Sequence, residues 1–272
     1  MTVWSEGFIE ANGLKVFYHR SGSGSNKPAI LLLHGFSDNG ACWSPVAHDL
    51  QETYDVIMPD ARGHGRTEGP INDLGTNLLA ADAAAIIQAL SLKKPYLFGH
   101  SMGAATAVAV AANYPELVKA MVLEDPPFMD LKGFTPPDKQ QLEEMKTKNL
   151  AFHDLPLEER IARGRAENPD WLEAEIVPWA ASKGEYNPEI MEQRMGIGKY
   201  PWREVLPQVE CPTLLITAEV EKGAIITPEV AQEVQQLSKH AEVAYFEGAG
   251  HCIHRDRYAE TMQPVLDWLR QH

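Results

Sequence analysis

The chain sets a serine between two glycines, Gly99-His100-Ser101-Met102-Gly103, directly after the apolar run Tyr96-Leu97-Phe98 and directly before an alanine-rich run beginning at Ala104. A serine hydroxyl is a poor nucleophile at neutral pH until a base takes its proton. Glycines on both sides permit a sharp strand-to-helix bend that lifts the hydroxyl to an apex. The same bend aims the unpaired amides of a helix N-terminus at whatever the serine attacks. The base must be a histidine. Of the ten present, His19, His48, His153 and His240 stand in surface-like or irregular contexts and His272 is terminal. His251 lies in Gly248-Ala249-Gly250-His251, a small-residue loop directly after the last apolar strand, and parallel strands share a carboxyl end, so this loop meets the one bearing Ser101. His254, three residues on, is the neighbouring competitor and reads as a residue facing solvent or a covering segment. Together Ser101 and His251 point to acyl transfer.

These groups need a scaffold that brings distant residues to one edge. Two β-type runs flank Asn12-Gly13, the dipeptide that best satisfies a type I′ turn, and predict a hairpin. An unbroken apolar run follows at the start of residues 28–35, a texture that fits a strand buried on both faces, and further strand-type runs stand at 55–60, 94–100, 118–125, 211–219 and 241–248. Helical patterns separate them at residues 77–90 and 102–113, and later at 227–238 and 257–271. This alternation predicts an α/β fold with a mostly parallel central sheet flanked by helices. From about residue 126 the texture changes to charged, helix-forming and proline-punctuated sequence. It predicts a helical cap over 127–207 inserted in a core made of 1–126 and 208–272.

Composition narrows the function classes. The formal charge of −14, with no cluster of Lys and Arg among aromatics, excludes a nucleic-acid partner. The longest apolar run is about ten residues, too short to cross a bilayer. A cytoplasmic protein with no membrane role is expected, since the N-terminus lacks a basic stretch followed by an apolar one. The three cysteines, Cys42, Cys211 and Cys252, are far apart and fit neither a disulfide framework nor a zinc site, so packed thiols are expected. No set of His, Cys and carboxylate ligands suggests a metal, and no cofactor is expected.

Five pieces in register, His34-Gly35-Phe36, Asp60 to Thr67, the Gly99–Gly103 pentad, Val122 to Pro127 and Gly248 to His251, resemble the α/β-hydrolase fold superfamily in its cap-bearing serine esterase and lactonase branch. The likeness runs from about residue 7 to 270. It implies that the backbone amides of Phe36 and Met102 bind the developing oxyanion, and that Arg62 and His64 hold their loop beneath the nucleophile. The acid is where the sequence departs from the common pattern. Most relatives place an aspartate just past the strand at 212–217, whereas here the loop offers only Glu219 and Glu221. A minority branch takes the acid from the preceding strand, about two dozen residues after the nucleophile, which lands on Asp125. Either strand end borders the histidine loop, and the acid has only to orient the ring and stabilise its charged form. Asp125 is the first choice, Glu219 the second, with Glu124 and Glu221 behind them.

A serine nucleophile argues against the alkyl-enzyme chemistry of dehalogenases and epoxide hydrolases, which needs a carboxylate. The resemblance then implies hydrolysis of a small carboxylic ester or lactone through an acyl-enzyme, with C–C hydrolysis or another triad-based activity, or a ligand-binding receptor, as the alternatives. Phe128, Trp179 and Met195 are the pocket candidates from the cap. Arg160, Arg163 and Arg165 read as solvated residues of a Glu-rich helix, and oligomeric state is not legible.

Overall fold

The computed structural model describes residues 4–22, 26–71, 73–129, 138–192 and 200–272. Strands β1 (Ser5–Ala11), β2 (Leu14–Arg20), β3 (Ala29–Leu33), β4 (Asp55–Pro59), β5 (Tyr96–His100), β6 (Met121–Glu124), β7 (Thr213–Ala218) and β8 (Ala241–Phe246) form one sheet in the order β1-β2-β4-β3-β5-β6-β7-β8. The β1–β2 and β2–β4 pairs are antiparallel and every later pair is parallel. Asn12 and Gly13 both take positive φ, 48° and 74°, as the predicted hairpin turn requires. Every residue of β3 to β7 is buried, which is why those runs show no polar alternation. β8 ends the sheet and, unlike them, has no fully buried residue, with Glu242 and Tyr245 exposed.

Helices cover both faces. On one, α2 (Thr76–Ala89), α3 (Met102–Asn113) and helix Pro228–Leu237 build a core with Leu31, Leu97, Val108, Leu123 and Val234. On the other, α1 (Ser44–Leu50) and the C-terminal helix Tyr258–Gln271 enclose Ile30, Val46, Phe98, Ile216 and Val265. α1 is absent from the sequence reading because seven residues are too few to display a helical stripe; Pro45 in its first turn is the one local signal.

Between β6 and β7 the described chain is helical: α4 (Lys139–His153), α5 (Leu157–Glu167), α6 (Glu173–Ser182) and the short helix Trp202–Val205. Asp138 starts α4 with a reciprocal capping box to Gln141. α5 stops at Asn168, which is held out of helical geometry ahead of Pro169. α5 and α6 then pack through Ile161, Ile176 and Ala180, with Trp171 and Trp179 against them. The two ends of this insertion belong to the core: Phe128, Tyr200, Trp202 and Leu206 join the α2–α3 cluster, and Phe128 stacks on Trp202 at 4.9 Å between ring centroids. Apolar side chains at both ends of the expected cap thus bury on the sheet side. No helix among the described residues is long and apolar enough to cross a membrane.

Candidate active site

The bend between β5 and α3 puts Ser101 at φ 52° and ψ −114°, a conformation that costs a non-glycine residue about 1–3 kcal/mol and persists only where its surroundings enforce it. Here they do. Ser101 N–H donates to the Glu124 carbonyl at 2.8 Å, and its own carbonyl accepts from Ala104 and Ala105 in the first turn of α3. A Cβ at Gly99 would lie 2.4 Å from the Gly103 carbonyl, and one at Gly103 would lie 2.0 Å from the Leu33 carbonyl oxygen, so the crossing admits no side chain at either position. The loop leaving β3 passes as closely: a Cβ on Gly35 would sit 2.8 Å from His100 Nδ1 and 3.5 Å from Ser101 Cβ. The next residue, Phe36, packs against the cluster that contains Met102. The two expected oxyanion-binding amides thus belong to segments that converge beside Ser101, and the Met102 amide, at the first position of α3, has no intrahelical acceptor.

His251 comes from the loop after β8. Its Nδ1 lies 2.6 Å from Asp125 Oδ2. Asp125 follows the last residue of β6, at φ 41° and buried, and its carboxylate also accepts from the amides of Ile225 at 2.8 and 3.0 Å and Ile226 at 3.0 Å. With Nδ1–H given to Asp125, His251 Nε2 is the basic nitrogen, and it has no partner among the described residues. His100 steadies the loop from below, donating from Nε2 to the His251 carbonyl at 2.9 Å.

The other carboxylates do different work. Glu219 Oε1 accepts from the Gly248 amide at 2.6 Å, bracing the turn ahead of His251, and Glu221 is exposed in the turn Val220–Lys222. Glu124 pairs with His254, accepting from its amide at 2.9 Å and from Nδ1 at 2.6 Å. His254 is therefore not a residue facing solvent: it is 1% exposed and stacks on Trp43 at 4.9 Å. Burial would raise Glu124, but His254 and His100 beside it hold it down to about 2.

The loop Asp60–Thr67 is structural, as expected. Arg62 grips Asp82 through two 2.6 Å bonds, His64 accepts from Ser37 N–H at 3.1 Å, and Asp60 binds the amides of Gly40 and Arg66 at 2.8 and 2.7 Å. Of the pocket candidates, Phe128 is 1% exposed in the core, Trp179 packs within α5 and α6, and Met195 lies outside the described residues. Arg160 departs from its reading as a solvated residue. It is buried, and its Nη1 donates to the His153 carbonyl at 2.7 Å, closing the end of α4, whereas Arg163 is exposed and the exposed Arg165 pairs with Glu173. Cys42, Cys211 and Cys252 are free thiols that burial pushes up to about 12, 11 and 12. Among the described residues no group of ligands could hold a metal ion.

Three of the histidines around the site are held neutral. Burial lowers His34 to about 4 and both His64 and His100 to about 3, from 6.5. A lowered imidazole contributes stability in full above pH 6.5 and loses it as pH falls toward the folded value, at about 1.4 kcal/mol per pH unit per group. Asp60, raised to about 6 by burial, and Glu175, also raised by burial, oppose this as two groups against three. Thermal unfolding followed by circular dichroism is expected to show a flat melting temperature at pH 7–8 and a steep fall below pH 6.5; a flat profile down to pH 4.5 would contradict neutral burial.

A family model described as alpha/beta hydrolase fold matches residues 28–258. The chain is 31% identical over 255 residues to N-formylmaleamate deformylase of Pseudomonas putida, covering 91% of this chain and 90% of that one. It is 32% identical over 277 residues to 2-(acetamidomethylene)succinate hydrolase of Mesorhizobium japonicum, covering 96% and 94%. Among solved structures, that of E-2-(acetamidomethylene)succinate hydrolase superposes with a TM-score of 0.81 at 22% identity over 98% of this chain and all of that one. The enol-lactonase from Burkholderia xenovorans LB400 gives 0.76 at 22% over 97% and 99%.

Proposed function

Because the chain belongs to the alpha/beta hydrolase family, we propose that it is a serine hydrolase that cleaves a small carboxylic ester or lactone through an acyl-enzyme. The observation that carries this reading is the 2.6 Å bond from His251 Nδ1 to the buried Asp125, at the same sheet edge as the strained Ser101. His251 Nε2 takes the Ser101 proton as Oγ attacks the carbonyl carbon, and the amides of Phe36 and Met102 receive the oxyanion. The tetrahedral intermediate then collapses, the leaving alcohol takes the proton from His251, and water repeats the sequence to free the acid. Two fixed donors of this kind are worth about 3 kcal/mol each in the transition state. The helices between β6 and β7 serve as the cap that limits water and shapes the pocket. The protein acts in the cytoplasm on a small molecule and needs no metal or organic cofactor.

A second reading, cleavage of an acyl–nitrogen bond in a small carboxylate, is favoured by two relatives that exceed 30% identity over nine-tenths or more of both chains, whose names specify an N-formyl and an acetamido compound. A panel of p-nitrophenyl esters, simple lactones and N-formyl or N-acetyl carboxylates separates the two. The ester or lactone reading expects the higher kcat/KM on the first two classes. A tenfold preference for the N-acyl carboxylates would transfer the assignment to the second reading.

A further inference from the structure

The insertion grips the core at several places, among them Trp171 on Asp256 and Asn187 on the Gly63 carbonyl, and one of these grips falls on the loop that leaves β3. Lys183, just past the end of α6, extends its ammonium to the Ser37 carbonyl at 3.2 Å, to the Ser37 hydroxyl at 3.1 Å and to the Asp38 carboxylate. A further bond from the same stretch reinforces it, Asn39 Nδ2 donating to Glu185 at 2.7 Å, while Asn187 N–H donates to the Gly63 carbonyl of the neighbouring Asp60–Thr67 loop at 2.8 Å. The gripped loop is the one that leaves β3 through Phe36. Ser37 stands at φ 63°, in the left-handed region that a non-glycine residue takes only under constraint. From the other side Arg255, four residues past His251, reaches Asp38 at 2.9 Å. Asp38 is 4% exposed, and the side chains of Arg255 and Lys183 are 3% and 12% exposed, so these charges are poorly screened by water. Burial would raise the Asp38 carboxyl, yet the flanking Arg255 and Lys183 hold it well below the usual carboxylate range. One loop thus receives a cation from the insertion and a cation from the histidine segment.

We propose that Lys183 is a positioning residue for the oxyanion hole, fixing the Ser37–Asp38 backbone so that the Phe36 amide holds transition-state geometry only while α6 is seated on the core. Covering the substrate and completing the hole then become one event, a form of induced fit in which closure assembles the catalytic donors. The inference rests on the reading of Ser101 as nucleophile and Phe36 as oxyanion donor.

The test compares Lys183→Met, which keeps the apolar stem and removes the ammonium, with Lys183→Arg, which restores a charged donor. Expected for Lys183→Met is a fall in kcat of about 10²-fold, the size seen when one oxyanion donor is lost. KM on an ester should stay within about twofold, since a group acting only in the transition state leaves ground-state binding alone. Affinity for a boronic acid, which forms a tetrahedral adduct on the serine, should fall in step with kcat. Lys183→Arg should recover most of both. Unchanged kcat and boronic-acid affinity in Lys183→Met would overturn the proposal. So would loss of melting temperature with kcat preserved, the mark of a simple brace. If Lys183→Met does not fold, Lys183→Gln is read in the same way. A Ser101→Ala variant that still turns over ester would overturn the nucleophile assignment instead, whatever Lys183 does.

Discussion

Ser101→Ala is expected to lower kcat about 10⁶-fold, the scale on which removal of a triad nucleophile acts, and to abolish stoichiometric labelling by a fluorophosphonate. The magnitude follows from the site's construction. Both glycines, the Glu124 carbonyl and the first turn of α3 exist to hold one residue in a conformation it would not choose. The buried Cys42 and the half-buried Cys252 are pushed far above neutrality and cannot stand in as thiolates. Alanine tolerates this backbone no better and no worse than serine, so the melting temperature should barely change and lost activity cannot be charged to unfolding. Residual catalysis over water should survive from the amides and binding alone. Undiminished labelling of the variant would put the nucleophile elsewhere. Failure of the unaltered protein to label would turn the site into a binding pocket of the receptor kind.

Asp125→Asn is expected to slow turnover about 10⁴-fold, and Glu219→Gln by no more than about threefold. An asparagine oxygen can still accept from Ile225 and Ile226, but its amide then presents N–H to His251 Nδ1 and forces the proton onto Nε2, the nitrogen that must be free. Glutamine at 219 keeps an oxygen for the Gly248 amide, the one bond that matters there. Steady-state kinetics on folded proteins, checked by circular dichroism, decide the pair. A severe loss in Glu219→Gln beside a mild one in Asp125→Asn would reverse the assignment.

What could be read before the fold was known tracks the range of the forces involved. Strands β3 to β7 were legible because burial on both faces leaves an apolar run, and the hairpin because Asn12-Gly13 satisfies two positive φ angles. The bend at Ser101 and the loop bearing His251 were legible because a strained turn and a loop between close segments both demand small neighbours. The acid was not. Asp125 and Glu219 end adjacent strands, and what separates them is a pair of amides at Ile225 and Ile226, about a hundred positions from Asp125. His254 misled for the opposite reason, since a polar residue after a loop looks solvated. The contrary signal was Glu124, a charge inside an apolar strand that needed a buried partner. Nothing local marks Lys183 and Asp38, which meet across 145 positions, or places Phe128 in the core and not the pocket.

The end of β6 has a consequence for how this protein is made. Its last residue and the one following grasp the backbone of Ser101 and both His251 and His254, the last of them 130 positions downstream. At a ribosomal pace of about 5–20 residues per second, the serine elbow waits roughly 8–30 s for His251 to be synthesised. On the proposed triad, the nascent chain carries Ser101 through that interval without its base. Turnover is then expected only once β7 and β8 have docked, and a turnover assay on translating ribosomes would report completion of the topology itself.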